Sequence, residues 1–215
     1  MTAIKHIRFG RRRHDVRHDE FQEAWFRHHV MTMAKRTQAL RYQRVSFFPD
    51  AAGADPAFHH AVALWYRDRE HWQQAYGGGP PDPDPTLAMA DRSGGLLLVA
   101  TEHVLVDGPE SLATSTWYLR PRVPGGAADG SLPREWARER EVMDRLPGST
   151  PIRVVTSVVN DPTDGQSHVA LTEVHWVSTS ARLAGEAAPE LQDLFAGATK
   201  LAPSLPVTVI PRTTA

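Results

Sequence analysis

The chain has 215 residues, enough for one large domain or two small ones, and either can bury a real core. Lys and Arg total 24 against 25 Asp and Glu, so the charge asks for neither a nucleic-acid backbone nor an anionic membrane as partner. There is no cysteine, which excludes disulfides, thiolate metal sites and cysteine nucleophiles together.

Residues 3–9 alternate Ile4, His6 and Arg8 against Lys5, Ile7 and Phe9, which predicts a short strand. No apolar signal core precedes it and no stretch approaches a membrane span, so the expected location is cytoplasmic. The basic run Arg11-Arg12-Arg13-His14 reads as a solvated turn, or at most a rim that attracts an anion. From about Asp19 to Arg36 the pattern predicts a helix, and Phe21, Trp25 and His29 share one face of it because they are four apart. Such a stripe is either core with a carbonyl-bonded imidazole, or a cavity wall presenting a proton carrier, since histidine titrates nearest neutrality.

Residues 40–48 alternate again, with Leu40, Tyr42, Arg44, Ser46 and Phe48 on one side, and residues 49–56 are a polar loop. Residues 58–66 read as a strand with Ala61, Ala63 and Trp65 on one face, and His28, His59 and His60 read as surface residues. A second helix is expected over residues 67–76, a Gly/Pro/Asp loop over 77–86, and a strongly apolar strand over 95–106, interrupted by Thr101-Glu102-His103. The order is β-α-β-β-α-β, the split arrangement of an antiparallel sheet with helices on one face. The chain then starts again: a strand at 115–122, a helix at 133–146, strands at 152–159 and 168–177, a helix at 181–199 and a closing strand at 206–211.

The expected fold class is therefore α+β, with two tandem ferredoxin-like repeats at residues 1–110 and 111–215. Each such sheet leaves one face bare. Two bare faces turned together would close a dimeric-α+β-barrel-type fold within one chain, with space inside for an apolar small molecule. A single-repeat relative would need a homodimer for the same closure, and a homodimer of this chain stays open as well.

Four places in the first half resemble the EthD-like branch of the dimeric α+β barrel superfamily. The opening strand Ile4-Lys5-His6-Ile7 leads into Glu20-Phe21-x3-Trp25-x3-His29, similar to the family's Glu-Phe-x3-Trp-x3-His. Leu40-Arg41-Tyr42 resembles its second-strand Leu-Arg-Arg-Tyr, Ala63-Leu64-Trp65-Tyr66 its Ala-Glu-Leu-Trp-Phe, and Thr101-Glu102-His103-Val104 its Glu-Glu-His-Val. Two departures stand out: Val30-Met31 replaces the family's Pro-Leu after the helix histidine, and Ala63 replaces an acidic residue before the strand tryptophan. The second half shares only architecture. Glu173 and His175 fall on one strand face there, and Trp136 could take the place of Trp25.

The resemblance implies enzyme chemistry on hydrophobic small molecules, often without metal or organic cofactor, as in lactone isomerases, polyketide cyclases and cofactor-free oxygenases of anthrone-type phenols. The expectation is histidine acid/base chemistry on an aromatic, polyketide-like or lactone substrate: cyclisation, isomerisation, dehydration or a related lyase step. Alternatives are a cofactor-free monooxygenase and a non-catalytic binding barrel. His29 is the first candidate for proton transfer and His103 the second; the alternative for His103 is a Glu102–His103 pair split between two faces of an edge. His175 is the catalytic candidate of the second repeat. His6, Trp25, Tyr42, Trp65 and Glu173 are the candidates for substrate contact. No cofactor is expected and no metal: the four-residue spacing of His14 and His18 lies among arginines that oppose a cation, and Glu173 with His175 is the other pairing found. No residue stands out as a haem ligand.

Overall fold

The computed structural model describes residues 3–30, 38–47, 55–76, 88–110, 114–121, 132–146, 149–160 and 168–211. The chain divides into two units, Met1–Thr101 with Ser204–Ala215, and Glu102–Pro203.

The first unit begins with β1 (Ile4–Arg12), then helix α1 (His18–Ala24), which continues as a π-helical turn over Trp25–Val30. β2 (Arg41–Phe47), β3 (His60–Tyr66), α2 (Arg69–Tyr76) and β4 (Ala90–Val106) follow, with the part of β4 up to Thr101 in this unit. The strand order is β4-β1-β3-β2, with β9 (Pro203–Pro211) beyond β2; the β4–β1, β1–β3 and β3–β2 pairs are antiparallel. Strand alternation sorts the side chains. Three rows cross the helix-covered face: Tyr42–Leu64–His6–Val99, Arg44–Val62–Arg8–Leu97 and Ser46–His60–Gly10. Ile4, Tyr42, Val62, Leu64 and Tyr66 of this face pack with Phe21 and Trp25. The other face carries Lys5, Ile7, Phe9, Gln43, Val45, Ala61, Ala63 and Leu98, all of them buried.

The second unit contains β5 (Ser115–Pro121), α3 (Leu132–Arg145), β6 (Arg153–Val159), β7 (His168–His175), α4 (Thr179–Ala187), α5 (Pro189–Leu194) and β8 (Thr199–Leu201). Its order is β8-β5-β7-β6 with β4 beside β6, and β5–β7, β5–β8 and β6–β7 are antiparallel. Tyr118, Met143, Val154, Val174, Trp176, Leu191 and Phe195 form its core, with the Tyr118 and Phe195 rings stacked at 3.9 Å and 5°.

The expected elements are present, with three differences. The opening helix changes to π geometry at Trp25, and its continuation over residues 31–37 lies outside the described residues. The expected helix over 181–199 is two helices and a strand. Pro189 cannot donate a backbone hydrogen bond, Ala188 before it is extended at φ −66 and ψ 126, and Gly197 turns the chain at φ +81 into β8. The closing strand, expected to complete the second repeat, instead lies next to β2 in the first unit, and Thr199–Leu201 takes the position beside β5. Among the described residues, no helix is long and apolar enough to cross a membrane.

Candidate active site

The helix-covered side of the first sheet holds buried imidazoles in aromatic surroundings. His6 lies mid-strand in β1 and is 2 % exposed. Helix α2 brings Trp72 over it, and the indole Nε1–H donates to His6 Nδ1 at 3.0 Å. Burial, assisted by the Arg8 charge, lowers the His6 pKa to about 4, so the ring is neutral at physiological pH. With Nδ1 accepting, the ring proton is assigned to Nε2, a donor suited to a carbonyl or phenolic oxygen.

At the far end of the same face, His60 lies among aromatics, its centroid 3.8 Å from the Trp25 ring and 5.3 Å from Phe21. Gly10 across the strand pair makes room for it: a Cβ there would stand 2.3 Å from the imidazole. Nearby, Gln22 of α1 binds the sheet. Its Oε1 accepts from Arg44 Nη2 at 2.6 Å and from Ser46 Oγ at 2.7 Å, and its Nε2 donates to the His59 carbonyl at 3.1 Å. At the rim, the ring of His18 is 5.8 Å from that of His59, whose Nδ1 accepts from the Arg12 backbone at 3.3 Å. Burial and the Arg12 charge lower the His59 pKa to about 4.

The sequence candidates are dispersed over several surfaces. Trp25 and Tyr42 belong to one core cluster, and His6 shares a sheet row with Tyr42. Trp65 points to the opposite face, where Lys5 Nζ lies 4.7 Å and the Arg41 guanidinium 4.4 Å from its ring. The backbone of His29 falls in the π turn, and its side chain lies outside the described residues. The four-residue spacing that aligns it with Trp25 is an α-helical rule, and π geometry lengthens the repeat. His103 is half-buried on β4, with its ring 4.2 Å from Trp136 of α3, and burial lowers its pKa. Glu173 and His175 share one face of β7, Glu173 between Trp117 and Val155 and His175 between Ser115 and Arg153; both are buried.

His59 and His60, read from sequence as surface residues, are 5 % and 2 % exposed. The signal was available for His60, because alternation from Trp65 assigns it to the face of Val62, Leu64 and Tyr66. For His59, just before β3, the burial comes from the returning β1 end and α1, which periodicity does not encode.

The helix-covered side of the second sheet is different in kind. Glu139, fully buried, pairs with Arg120 at 2.5 Å and accepts from Thr156 at 3.3 Å. Glu186 accepts from Thr116 at 2.5 Å, Arg182 at 2.8 Å and Lys200 at 3.1 Å. Burial opposes ionisation of Glu186, but these bonds and charges hold its carboxyl below the ordinary value. Carboxylates locked by cations are committed to holding elements together; neutral imidazoles among aromatics are suited to handling protons. Among the described residues, no group of three or more His, Asp or Glu is placed to hold a metal ion.

No family model matches the sequence, and no curated protein matches it. Solved structures do resemble the fold. An anthrone oxidase-like protein superposes with a TM-score of 0.65 at 12% identity, covering 97% of this chain and 93% of its own. A candidate monooxygenase of Fusobacterium nucleatum gives 0.58 at 9% identity, covering 96% and 94%. A variant of the chlorite dismutase of Candidatus Nitrospira defluvii gives 0.54 at 9% identity, covering 94% and 91%. At these identities the likeness establishes the fold alone, a mixed α+β architecture with a curled antiparallel sheet.

Proposed function

We propose that this chain is an enzyme of tandem ferredoxin-like repeats, EthD-like in its first half, that moves protons on a hydrophobic aromatic, polyketide-like or lactone substrate without a cofactor. Cyclisation, isomerisation and dehydration all fit, because each passes through an enol or enolate that a neutral imidazole donor can stabilise. The observation that supports this reading best is the buried His6, kept neutral by burial and fixed in tautomer by Trp72. In this scheme His6 Nε2–H donates to the substrate oxygen, and His29 takes and returns the carbon-bound proton. Trp25 and Tyr42, on the face of His6, shape the first repeat around the substrate, and Trp65 remains a candidate on the opposite face. His103, and His175 with Glu173, are the corresponding candidates of the second repeat.

The test uses hydrogen–deuterium exchange at the acidic α-carbon of a panel of hydrophobic ketones and lactones, 2-tetralone among them, followed by mass spectrometry in D2O. Wild-type protein is expected to accelerate exchange on at least one member. Folded His6→Gln and His29→Ala variants are expected to lose about 10²-fold or more of that rate. Variants that retain it would remove these assignments, and no exchange across the panel would remove the reading itself.

A second reading, a cofactor-free monooxygenase of a phenolic or anthrone-type substrate, is favoured by the names of the similar structures. Its balance closes without an external reductant: a substrate CH2 becomes C=O, one oxygen atom enters the product and the other leaves as water. The substrate supplies all four electrons. Oxygen uptake dependent on anthrone separates the two, and absence of uptake with proton exchange intact decides for the first.

A further inference from the structure

Arg44 occupies the middle row of the helix-covered face, between the levels of His6 and His60, and is 1 % exposed. Among the described residues its hydrogen bonds go to one residue, and the Tyr42 phenol is its electrostatic neighbour. Nη2 donates to Gln22 Oε1 at 2.6 Å, with a longer contact of 3.5 Å to the Gln22 backbone oxygen. Its Nε is buried without a hydrogen-bond partner, and the Phe26 ring lies 5.5 Å from Cζ. No carboxylate pairs with it among the described residues.

Arginine does not lose its proton in a protein, so this side chain is a buried cation facing a neutral amide. Gln22 can offer little more. The same Oε1 already accepts from Ser46, and the amide nitrogen is tied to the His59 carbonyl. The contrast lies in the second unit, where Arg120 on the helix-covered face has the buried carboxylate of Glu139 at 2.5 Å. A buried guanidinium without a counter-charge is among the costliest arrangements a fold can hold, and one that persists calls for an anion from elsewhere. The surroundings suit a ligand: the π-helical turn beginning at Trp25 lies three residues beyond Gln22, and such turns are frequent at functional sites.

We propose that Arg44 is the binding site for an anionic oxygen of the ligand, a carboxylate or ionised phenol carried on a hydrophobic aromatic body. The guanidinium fork would take the anion and Gln22 would hold the fork in orientation, while the rings of Phe21, Trp25 and Phe26 supply apolar wall. The inference rests on the reading of this unit as a small-molecule site, but not on any particular reaction there. It narrows the substrate class to acidic aromatics.

The test compares 2-naphthoate with neutral 2-naphthamide by titration calorimetry on the whole protein. The wild type is expected to prefer naphthoate by about tenfold or more. Arg44→Met, similar in length and uncharged, is expected to bind both alike, and Arg44→Lys to keep a reduced preference, since an ammonium supplies charge without the fork. Ligand-free Arg44→Met should also melt no lower than wild type, because it removes an uncompensated charge; a purely structural arginine would lower the melting temperature. If Arg44→Met does not fold, the wild type and Arg44→Lys carry the comparison. Equal affinity for the two probes in wild type, no binding of naphthoate, or an unchanged preference in a folded Arg44→Met protein would each overturn the proposal. Proton exchange by the histidine variants is a separate readout, so the anion site and the proposed chemistry can fail independently.

Discussion

Burial governs the protonation of His6 more than any neighbouring charge does, with Arg8 a secondary contributor. In the unfolded chain its imidazole titrates near 6.5 and in the folded protein near 4, so between these values the unfolded state binds the extra proton. Stability is therefore full above about pH 6.5 and declines as the pH falls towards 4, by up to about 3 kcal/mol for this one group. His59 acts in the same direction. Urea denaturation between pH 7.5 and 4.5 should show the decline, and His6→Gln should flatten it; an equal slope in the variant would show that His6 is not its source. The identity of this residue as strand-borne and polar was legible from alternation with Ile4 and Arg8. Its partner was not, since Trp72 lies 66 residues away and only the packing of α2 over β1 brings the two together.

At the scale of the element, the helices carry features that intrinsic propensity would not choose. Helix α4 is capped by Ser178, whose Oγ accepts from the Ala181 N–H at 3.1 Å, a start signal readable in sequence. Seven residues into α4 sits Gly185, where propensity alone favours Ala by about 1 kcal/mol. A Cβ at Gly185 would stand 2.2 Å from the buried Trp176 ring, and overpacking of that sort costs about 1–3 kcal/mol. Gly185→Ala is expected to destabilise the protein by about 1 kcal/mol, the clash exceeding the propensity gain, with the shift read from the chemical-denaturation midpoint. A stabilised variant would mean that Trp176 moves aside cheaply. The switch of the opening helix to π geometry at Trp25 belongs to the same scale. Nothing in the run Trp25-Phe26-Arg27-His28-His29-Val30 breaks a helix by intrinsic propensity.

At the scale of the whole molecule, the closing strand is assigned to the unit that the chain left a hundred residues earlier. β9 lies beside β2, while the three-residue β8 completes the sheet of the second unit through Trp117–Leu201, Tyr118–Lys200 and Leu119–Thr199. Ending the chain after Leu201 would therefore turn β2 into an edge strand with unpaired backbone groups. Amide exchange in β2 is expected to quicken by about tenfold or more on truncation, with β6 and β7 unchanged. Loss of protection in β6 and β7 instead would assign the closing strand to the second unit.

The sequence by itself determined the α+β class, most of the order of strands and helices, and which strand residues share a face, because the two- and 3.6-residue periods are local properties of the backbone. The division of residues 181–199 into two helices and a strand and the π turn at Trp25 lay outside it. It also marked His6, Trp25 and Tyr42 as worth watching in the first unit. Only the tertiary structure decided that His59 is buried, that residues 204–211 return to the first unit, and that Arg44 is enclosed with an amide in place of a carboxylate. Each of these depends on which distant segment covers a residue. Burial and counter-charge are set by that cover, and no local period carries it.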